Sequence, residues 1–388
     1  MKKRELLAND LTKQLNYIVL IIAVILFNVI TIKANANDIE QLQQQADQGD
    51  AVAQYHLGII YARGQGVKQD YLKAKKYWQK AAQQGDIDAL YNLGVMYDRG
   101  HGVKQDFSTA VEYWEQAAKQ GNVSAQFNLG NMYSAGRGVN QNYEKAVEYW
   151  QQAAQQGNIF AQNNLGNIYF QGKNIKQNND KAIQYWQLAA EQGHINALYN
   201  LGAMYANGRV VKQDYIKAVE YYEQAAQRGY AEAQFNLGAM YFQGQGVKQD
   251  YQKAIEYWLQ AAEQGMAKAQ HNIGLIYDEG KIVEQDYTKA IIWYQKAASQ
   301  GNLSAKNNLG IMYEYGRGVK QDYQKAIEYF EQAAQQGDMQ ANNNLAMMYV
   351  KGKGVNKDIY QAQNLFKKSC DNGNQQGCDK YRELKSNN

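Results

Sequence analysis

A glycine that returns every 36 residues constrains the fold of this chain more than any other feature. It stands at ten positions, with no insertion or deletion between them: Gly49, Gly85, Gly121, Gly157, Gly193, Gly229, Gly265, Gly301, Gly337 and Gly373. A period of about 20 to 50 residues is typical of proteins built from stacked supersecondary units. The sequence therefore predicts nine copies of one small unit.

Each unit is predicted to contain two amphipathic helices. In residues 229–264, Ala233, Leu237 and Tyr241 form an apolar stripe at a spacing of four, and a second stripe runs from residue 254 to residue 262. One hairpin of two short helices buries too little apolar surface to offset the entropy lost on ordering it, so it has to stack on its neighbours. We therefore predict an all-α fold, a solenoid of nine 36-residue helix–turn–helix repeats.

Glycine and aspartate mark the predicted ends of these helices. Gly244 and Gly246 suit the positive φ that ends a first helix, Gly265 suits the end of the second, and Asp250 is placed to cap the start of the second. Other residues replace the second loop glycine in three units, at Asn174, Val210 and Ile282. Because valine and isoleucine are strained at positive φ, the turns at Val210 and Ile282 should differ in shape.

Two columns of side chains occur in all nine units and are predicted to lie in the core. One is alanine: Ala74, Ala110, Ala146, Ala182, Ala218, Ala254, Ala290, Ala326 and Ala362. The other is tyrosine: Tyr61, Tyr97, Tyr133, Tyr169, Tyr205, Tyr241, Tyr277, Tyr313 and Tyr349. Small and bulky side chains in alternation favour interdigitated helix packing.

The repeated pattern Ala-x-x-x-Leu-Gly-x-x-Tyr, then Gly-x-Gly-Val, Asp, Lys-Ala, an aromatic pair and Ala-Ala, resembles the Sel1-like repeat family, which is related to the tetratricopeptide repeats. The resemblance covers residues 49–373, with Ile273 in place of the leucine and Ala346 in place of the helix glycine. It implies a right-handed α-solenoid with a concave groove lined by the first helices. It also implies an adaptor function.

The two ends of the chain differ from the repeats. Residues 1–36 combine a basic start, an apolar run at 17–32 and an Ala-x-Ala exit, which is typical of a cleaved signal peptide, with an uncleaved membrane anchor as the alternative. We predict an N-terminal capping helix at 37–48, the repeats at 49–372 and a C-terminal capping helix at 373–388.

The leader holds five basic and two acidic residues, so its removal lowers the net charge from +4 to +1. That balance argues against nucleic-acid binding.

The two cysteines of the chain, Cys370 and Cys378, lie on either side of the corner at Gly373. In an exported protein such a pair predicts a disulfide, here one that pins the last helix. This Cys-x7-Cys corner is also similar to the one in the cysteine-rich branch of Sel1-like proteins. Some members of that branch have been described as β-lactamase-like or penicillin-binding, which leaves a hydrolase as an alternative function.

The sequence carries no recognisable catalytic, cofactor or metal-binding motif. The four histidines, His56, His101, His194 and His271, lie in different units at unlike positions, and no serine stands in Gly-x-Ser-x-Gly or Ser-x-x-Lys. An aspartate before each second helix recurs once per unit, with Asn142 and Asn178 standing in for it, which favours helix capping over paired catalytic carboxylates. We therefore predict a protein that is not an enzyme and that uses no cofactor.

A ladder of asparagines follows the face of the first helices that should line the groove: Asn92, Asn128, Asn164, Asn200, Asn236, Asn272, Asn308 and Asn344. Amides both donate and accept hydrogen bonds, so this ladder would bind an extended peptide or a glycan, or else bond neighbouring helices and stabilise the stack. Aromatic residues flank its N-terminal half. The predicted partner-binding residues are Tyr91, Asn92, Phe127, Asn128, Asn164, Tyr199, Asn200, Phe235 and Asn236.

The leading functional hypothesis is an exported, periplasmic or secreted scaffold that binds a protein, a peptide or an envelope glycan on its concave face. Two alternatives remain open: the β-lactamase-like hydrolase, and an envelope scaffold tethered to the inner membrane by an uncleaved leader.

Overall fold

The computed structural model describes residues 36–386, and this part of the chain contains 20 helices and no strand. It divides into two compact units, one up to Ala182 and one from Ile183 onward. The predicted all-α solenoid is confirmed. Residues 1–35 of the predicted leader lie outside the described residues.

A capping helix precedes nine pairs of helices, and a further helix follows them. In chain order they are α1 Ala36–Asp47, α2 Ala51–Arg63, α3 Tyr71–Gln83, α4 Ile87–Arg99, α5 Phe107–Lys119, α6 Val123–Ala135, α7 Tyr143–Gln155, α8 Ile159–Gln171, α9 Asn179–Glu191, α10 Ile195–Asn207, α11 Tyr215–Gln227, α12 Ala231–Gln243, α13 Tyr251–Glu263, α14 Ala267–Glu279, α15 Tyr287–Ser299, α16 Leu303–Tyr315, α17 Tyr323–Ala334, α18 Met339–Lys351, α19 Ile359–Asp371 and α20 Gln375–Ser386. The even-numbered helices α2 to α18 are the first helices of repeats 1 to 9, and the odd-numbered helices α3 to α19 are the second helices.

Stacking of each repeat on the next builds the core within each unit. Consecutive helices pack on one another from α1 to α8 and from α10 to α20. Trp78 of α3 shares one buried cluster with Leu93 and Met96 of α4, the first helix of the following repeat. Every member of the alanine column is fully buried. The core therefore continues from one repeat into the next.

The tyrosine column lies at the edge of the core. Tyr133, Tyr169 and Tyr241 are buried, whereas the other six tyrosines are half-buried. Stacking explains this position: the ring of Tyr241 lies 5.7 Å from that of Tyr257 on the second helix, and the Lys253 ammonium group lies 5.1 Å from the Tyr241 ring centre. The column is thus a seam between the two helices of a repeat.

The predicted caps and turns are present in the structure. The Asp250 carboxylate accepts the Lys253 backbone N–H at 3.0 Å, and aspartate or asparagine at the same position caps each of the other second helices. Gly244 and Gly246 have φ values of 70° and 71°. Among the described residues, Asn174 is the one non-glycine with positive φ, at 60°. Val210 and Ile282 avoid that region, so their turns differ in shape, as predicted.

A disulfide closes the last corner of the chain, as predicted. Cys370 at the end of α19 is bonded to Cys378 in α20, and their Cα atoms lie 4.5 Å apart. Beside this bond, Gly377 packs directly on the buried Ser369. The terminal helix is therefore joined to the last repeat both covalently and by close backbone packing.

Candidate partner-binding face

The predicted binding residues occupy equivalent positions on the first helices of both units, and we call this side of the first helices the first-helix face. Five lie in the unit up to Ala182 and four in the unit from Ile183: Tyr91, Asn92, Phe127, Asn128 and Asn164 in the former, and Tyr199, Asn200, Phe235 and Asn236 in the latter. All nine side chains are half-buried. They are neither core residues nor freely rotating surface groups, and this is the condition in which side chains bind a partner with little loss of entropy.

Tryptophans of the second helices hold the backbone of this face in place. The Trp114 indole N–H donates to the Tyr91 carbonyl at 3.2 Å, and that of Trp258 donates to the Phe235 carbonyl at 2.9 Å. Each indole can approach this closely because a glycine, such as Gly238 beside Trp258, leaves no Cβ in its way. The helix glycine of the repeat motif is therefore explained by the packing of an aromatic ring, which is an indole in these repeats and a tyrosine or phenylalanine ring beside Gly202, Gly274 and Gly310.

Several ladder asparagines bond a neighbouring repeat. Asn344 donates to the Asn307 side chain at 2.8 Å, and Asn236 donates to the Tyr222 hydroxyl at 3.2 Å. Two further ladder asparagines bond an adjacent repeat, Asn164 through Asn131 and Asn308 through His271. These amides help to hold the stack together. Whether the ladder also binds a ligand stays a prediction.

Burial favours the neutral forms of two titratable groups on this face. It lowers the pKa of the His271 imidazole, and the hydrogen bond with Asn272 opposes that shift. Burial also raises the pKa of the Tyr55 hydroxyl, as do the nearby carboxylates of Asp88 and Asp86. A neutral face of amides and aromatic rings favours an uncharged segment of a partner over a highly charged one.

A polar cavity of about 340 Å³ lies between α6, α7 and α8, at the boundary of repeats 3 and 4. Four amides and two hydroxyl groups line most of it, together with a tryptophan, an isoleucine and a lysine: Asn131, Ser134, Tyr143, Trp150, Asn164, Asn167, Ile168, Gln171 and Lys173. Its lining contains one cation and no carboxylate. Of the predicted binding residues, Asn164 belongs to this cavity.

An apolar cavity of about 290 Å³ lies at the corresponding boundary of repeats 6 and 7, between α12, α13 and α14. Its lining is mostly hydrocarbon: Ala239, Phe242, Gln243, Trp258, Asn272, Leu275, Ile276, Glu279, Lys281 and Ile282. The Phe242 ring lies 5.3 Å from that of Trp258, and Lys281 pairs with Glu279 at 3.1 Å on the rim. The ion pair leaves the rim close to neutral.

Sequence reasoning missed both cavities. Their distinguishing residues lie three and six positions after a ladder asparagine, as Asn131 and Ser134 do after Asn128, and as Ala239 and Phe242 do after Asn236. At helical spacing these positions share the face of the ladder. A comparison of the chemistry at these positions from repeat to repeat would have found them.

Neither a metal-holding cluster of side chains nor a membrane-spanning helix occurs in the described part of the chain. Within residues 36–386, no group of three or more histidine, cysteine, aspartate or glutamate side chains is placed to hold a metal ion. The helices of the same residues are too short or too polar to cross a membrane.

A protein-family model, the Sel1 repeat, matches the chain nine times, at residues 51–86, 87–122, 123–158, 159–194, 195–230, 231–266, 267–302, 303–338 and 340–374. These matches include both cavities. Among proteins of curated function, none matches this chain.

Two solved structures are similar to the chain over most of its length. One is c5321, a protective antigen present in uropathogenic Escherichia coli strains that displays an SLR fold. It is 33% identical with a TM-score of 0.72, and the match covers 85% of this chain and 79% of that one. The other is a Sel1 repeat protein from Oxalobacter formigenes, also 33% identical, with a TM-score of 0.66 and coverage of 82% and 92%.

Proposed function

Because the chain belongs to the Sel1 repeat family, whose members mediate protein–protein interactions, we propose that it is an exported, non-enzymatic scaffold that binds a protein partner along its first-helix face. One observation carries this proposal. The first-helix face contains two cavities of side-chain size, and each is lined by a ladder asparagine, Asn164 in one and Asn272 in the other. A face built only for stacking has no need of such cavities.

The chemistry of the face favours an extended, largely uncharged segment of the partner. Half-buried aromatic rings such as Tyr91 and Phe235 supply contact area whose rotamers are already restricted, as interface hot spots do. The amides between them supply hydrogen bonds to a polypeptide backbone without demanding charge. Regular spacing of both along consecutive first helices suits a partner that repeats its own contacts, as an extended chain does.

Two features support export. The basic and apolar leader at residues 1–36 ends in Ala-x-Ala, and the chain forms a disulfide, which persists in oxidising compartments. The similarity to a protein described as a protective antigen agrees with that location. Mass spectrometry of the protein from cell fractions tests it: we expect a mature chain that begins near Asn37. A chain that keeps its leader would instead support the tethered scaffold.

Site-specific photo-crosslinking tests the binding face. A photoreactive amino acid at Asn128 or Asn236, on the first-helix face, should capture a discrete partner in expressing cells. Glu148 and Glu256 provide matched controls, because they are exposed on the second helices of the same repeats. Capture from the glutamate positions alone would overturn the proposal.

Affinity measurements with the captured partner complete the test. The double variant Tyr91→Ala with Phe235→Ala removes the predicted aromatic anchors. Affinity should fall by at least about tenfold while the helical circular-dichroism spectrum is retained, because anchor truncation commonly costs more than about 1 kcal/mol. Unchanged affinity in a folded variant would contradict the assignment of these residues.

A further inference from the structure

The polar cavity between repeats 3 and 4 contains a relay of hydrogen bonds that fixes two amides in one orientation. The Trp150 indole N–H donates to Asn131 Oδ1 at 3.2 Å, and Asn164 Nδ2 donates to the same oxygen at 3.3 Å. An indole N–H can only donate, so the oxygen of Asn131 must face it. That orientation in turn requires Asn164 to present its nitrogen to Asn131.

The relay leaves one donor and one acceptor without a partner among the described residues. These are the Asn131 Nδ2 amino group and the Asn164 Oδ1 carbonyl oxygen, both of which belong to residues that line the cavity. The two side chains are half-buried, and Trp150 beneath them is only 5% exposed. The pair is therefore preorganised, because neither amide can turn round without breaking the relay.

The relay depends on Asn131, which interrupts the arrangement of other repeats. In repeats 1, 2 and 6 the corresponding indole donates to a backbone carbonyl, that of Tyr55, Tyr91 and Phe235 respectively. The residues at the position of Asn131 in those repeats are Ile59, Val95 and Ala239, none of which has a side chain that accepts a hydrogen bond. Asn131 thus takes over the indole bond and points a second functional group at the cavity.

We propose that this cavity binds a side-chain carboxamide, of glutamine or asparagine, from a polypeptide partner; this deepens the proposed function and rests on it. The carboxamide oxygen accepts from Asn131 Nδ2, and its amino group donates to Asn164 Oδ1. Together with the bond from Asn164 to Asn131, these contacts close a ring of three amides in which each member donates once and accepts once.

The surroundings select this group over other ligands. The lining has no carboxylate to attract a cation, and the cavity of about 340 Å³ has room for a glutamine stem beside Ile168. Lys173 of the lining would attract a carboxylate ligand, but such a ligand would meet the Asn164 oxygen with a second acceptor, which is repulsive, so the glutamate control decides between the two groups.

Nuclear magnetic resonance on the full mature chain tests the proposal directly. The probe is N-acetyl-glutamine methylamide, and its matched controls are the glutamate and leucine derivatives, which share its backbone amides. We expect the glutamine probe to shift the indole N–H resonance of Trp150, with a dissociation constant in the millimolar range because one side chain makes only two new hydrogen bonds. The controls should leave it in place. No shift, or an equal shift with glutamate, overturns the proposal.

The variant Asn131→Asp removes the donor and leaves the relay intact, since a carboxylate still accepts from Trp150 and Asn164. It should weaken the glutamine response at least about tenfold. Ser124→Asp is the matched control: it adds the same charge to the same helix, at an exposed position outside the cavity lining and outside the predicted binding residues. A response that survives Asn131→Asp, or falls equally in Ser124→Asp, contradicts the assignment.

The crosslinking experiment separates this proposal from the proposed function. If Asn128 and Asn236 capture a partner while Trp150 ignores the glutamine probe, the carboxamide site fails and the binding face stands. If Trp150 responds but neither position captures a protein, the cavity binds carboxamides and the scaffold function fails.

Discussion

The polar and the apolar cavity lie at equivalent positions of their repeats but are lined by different side chains. Each lies between a first helix, the second helix of the same repeat and the next first helix, and Asn131, Trp150 and Asn164 of one correspond to Ala239, Trp258 and Asn272 of the other, 108 residues later. The glycine under each indole is also shared, as Gly130 and Gly238. Packing therefore fixes the place of the cavity, whereas the few side chains that stacking does not need determine its chemistry.

The largest expected effect comes from disrupting the packing of glycine against indole on which both cavities depend. A Cβ at residue 130 or 238 would overlap the indole ring of Trp150 or Trp258. Gly130→Ala and Gly238→Ala should each lower the free energy of unfolding by about 1–3 kcal/mol, because overpacking outweighs the gain of about 1 kcal/mol in helix propensity. Urea unfolding followed by circular dichroism measures this.

Ser124→Ala, at an exposed position of α6, is the control for the two glycine substitutions. It should change the free energy of unfolding by less than about 0.5 kcal/mol. Glycine variants as stable as this control would show that the indole does not require the glycine. A loss of stability from only one of the two glycine substitutions would show that the two cavities do not depend on the same packing.

A smaller effect is expected from converting the apolar cavity into the polar one. The triple variant Ala239→Asn, Phe242→Ser and Leu275→Asn places the chemistry of Asn131, Ser134 and Asn167 at the second site. Loss of the Phe242 and Leu275 side chains should cost about 1–2 kcal/mol, since Phe242 is half-buried and Leu275 is exposed. The indole N–H of Trp258 should then respond to the glutamine probe.

A substitution at the rim of the same cavity provides the control for this conversion. Gln243→Ser alters an exposed rim residue and leaves the hydrocarbon wall in place. Neither stability nor the Trp258 response should change. If the triple variant folds and Trp258 still ignores the probe, residues beyond these three determine the chemistry of the cavity.

A reverse substitution should make the polar cavity resemble the apolar one at lower cost. In Asn131→Ala the Trp150 indole loses its side-chain acceptor and is expected to donate to the Phe127 carbonyl, as Trp258 does to that of Phe235. The net cost should be about 0.5–1.5 kcal/mol, one hydrogen bond from the half-buried Asn164. A Trp150 indole resonance that moves toward the position of the Trp258 resonance supports this; an unmoved resonance contradicts it.

The smallest effect concerns pH. Asp278 occupies in repeat 7 the position of Phe242, and burial raises the pKa of its carboxyl group above 3.8, although the Tyr294 hydroxyl and Arg317 oppose the shift. A raised pKa means that folding favours the protonated form, so the contribution of Asp278 to stability is present at low pH and is lost as pH rises through the folded-state pKa. Asp278→Asn should therefore stabilise the protein at neutral pH, by less than about 1 kcal/mol because the carboxyl is only half-buried.

Urea unfolding at pH 3 and pH 7 checks the sign. The difference between Asp278→Asn and the original protein should shrink as pH falls, because the carboxyl is then protonated in both states. The exposed Ser124→Ala, which changes no titratable group, is the control and should show no such trend. A variant that is less stable at pH 7 would mean that the contacts of Asp278 with Tyr294 and Arg317 outweigh its burial.

The sequence was sufficient to predict what depends on residues within one repeat. The helices, the Asp250-type caps, the turns at Gly244 and Gly246 and the altered turns at Val210 and Ile282 all follow from local chemistry, which nine copies of the motif make legible. The disulfide was predictable because a single corner at Gly373 brings Cys370 and Cys378 together.

The parts that were missed depend on how one repeat lies on the next. That Asn344 reaches Asn307, or Asn164 reaches Asn131, follows from the offset between first helices, which a motif does not state. The apolar cavity arises partly because Ala239 is small, and an absent side chain leaves little trace in a sequence. The spacing of the motif therefore predicts which residues share a face of the first helices, but not the hydrogen bonds that they make with the next repeat.

The cross-link between Cys370 and Cys378 makes the two ends of the repeat array unequal. A one-dimensional array whose units are held by nearest neighbours is dismantled most easily from a terminus, where a hairpin has one neighbour instead of two. At the carboxyl terminus α20 remains tethered to α19 even when its packing opens, so re-closure is fast and local. In an oxidising compartment we therefore expect stepwise unfolding to begin at α1. A reductant should remove this difference between the two ends.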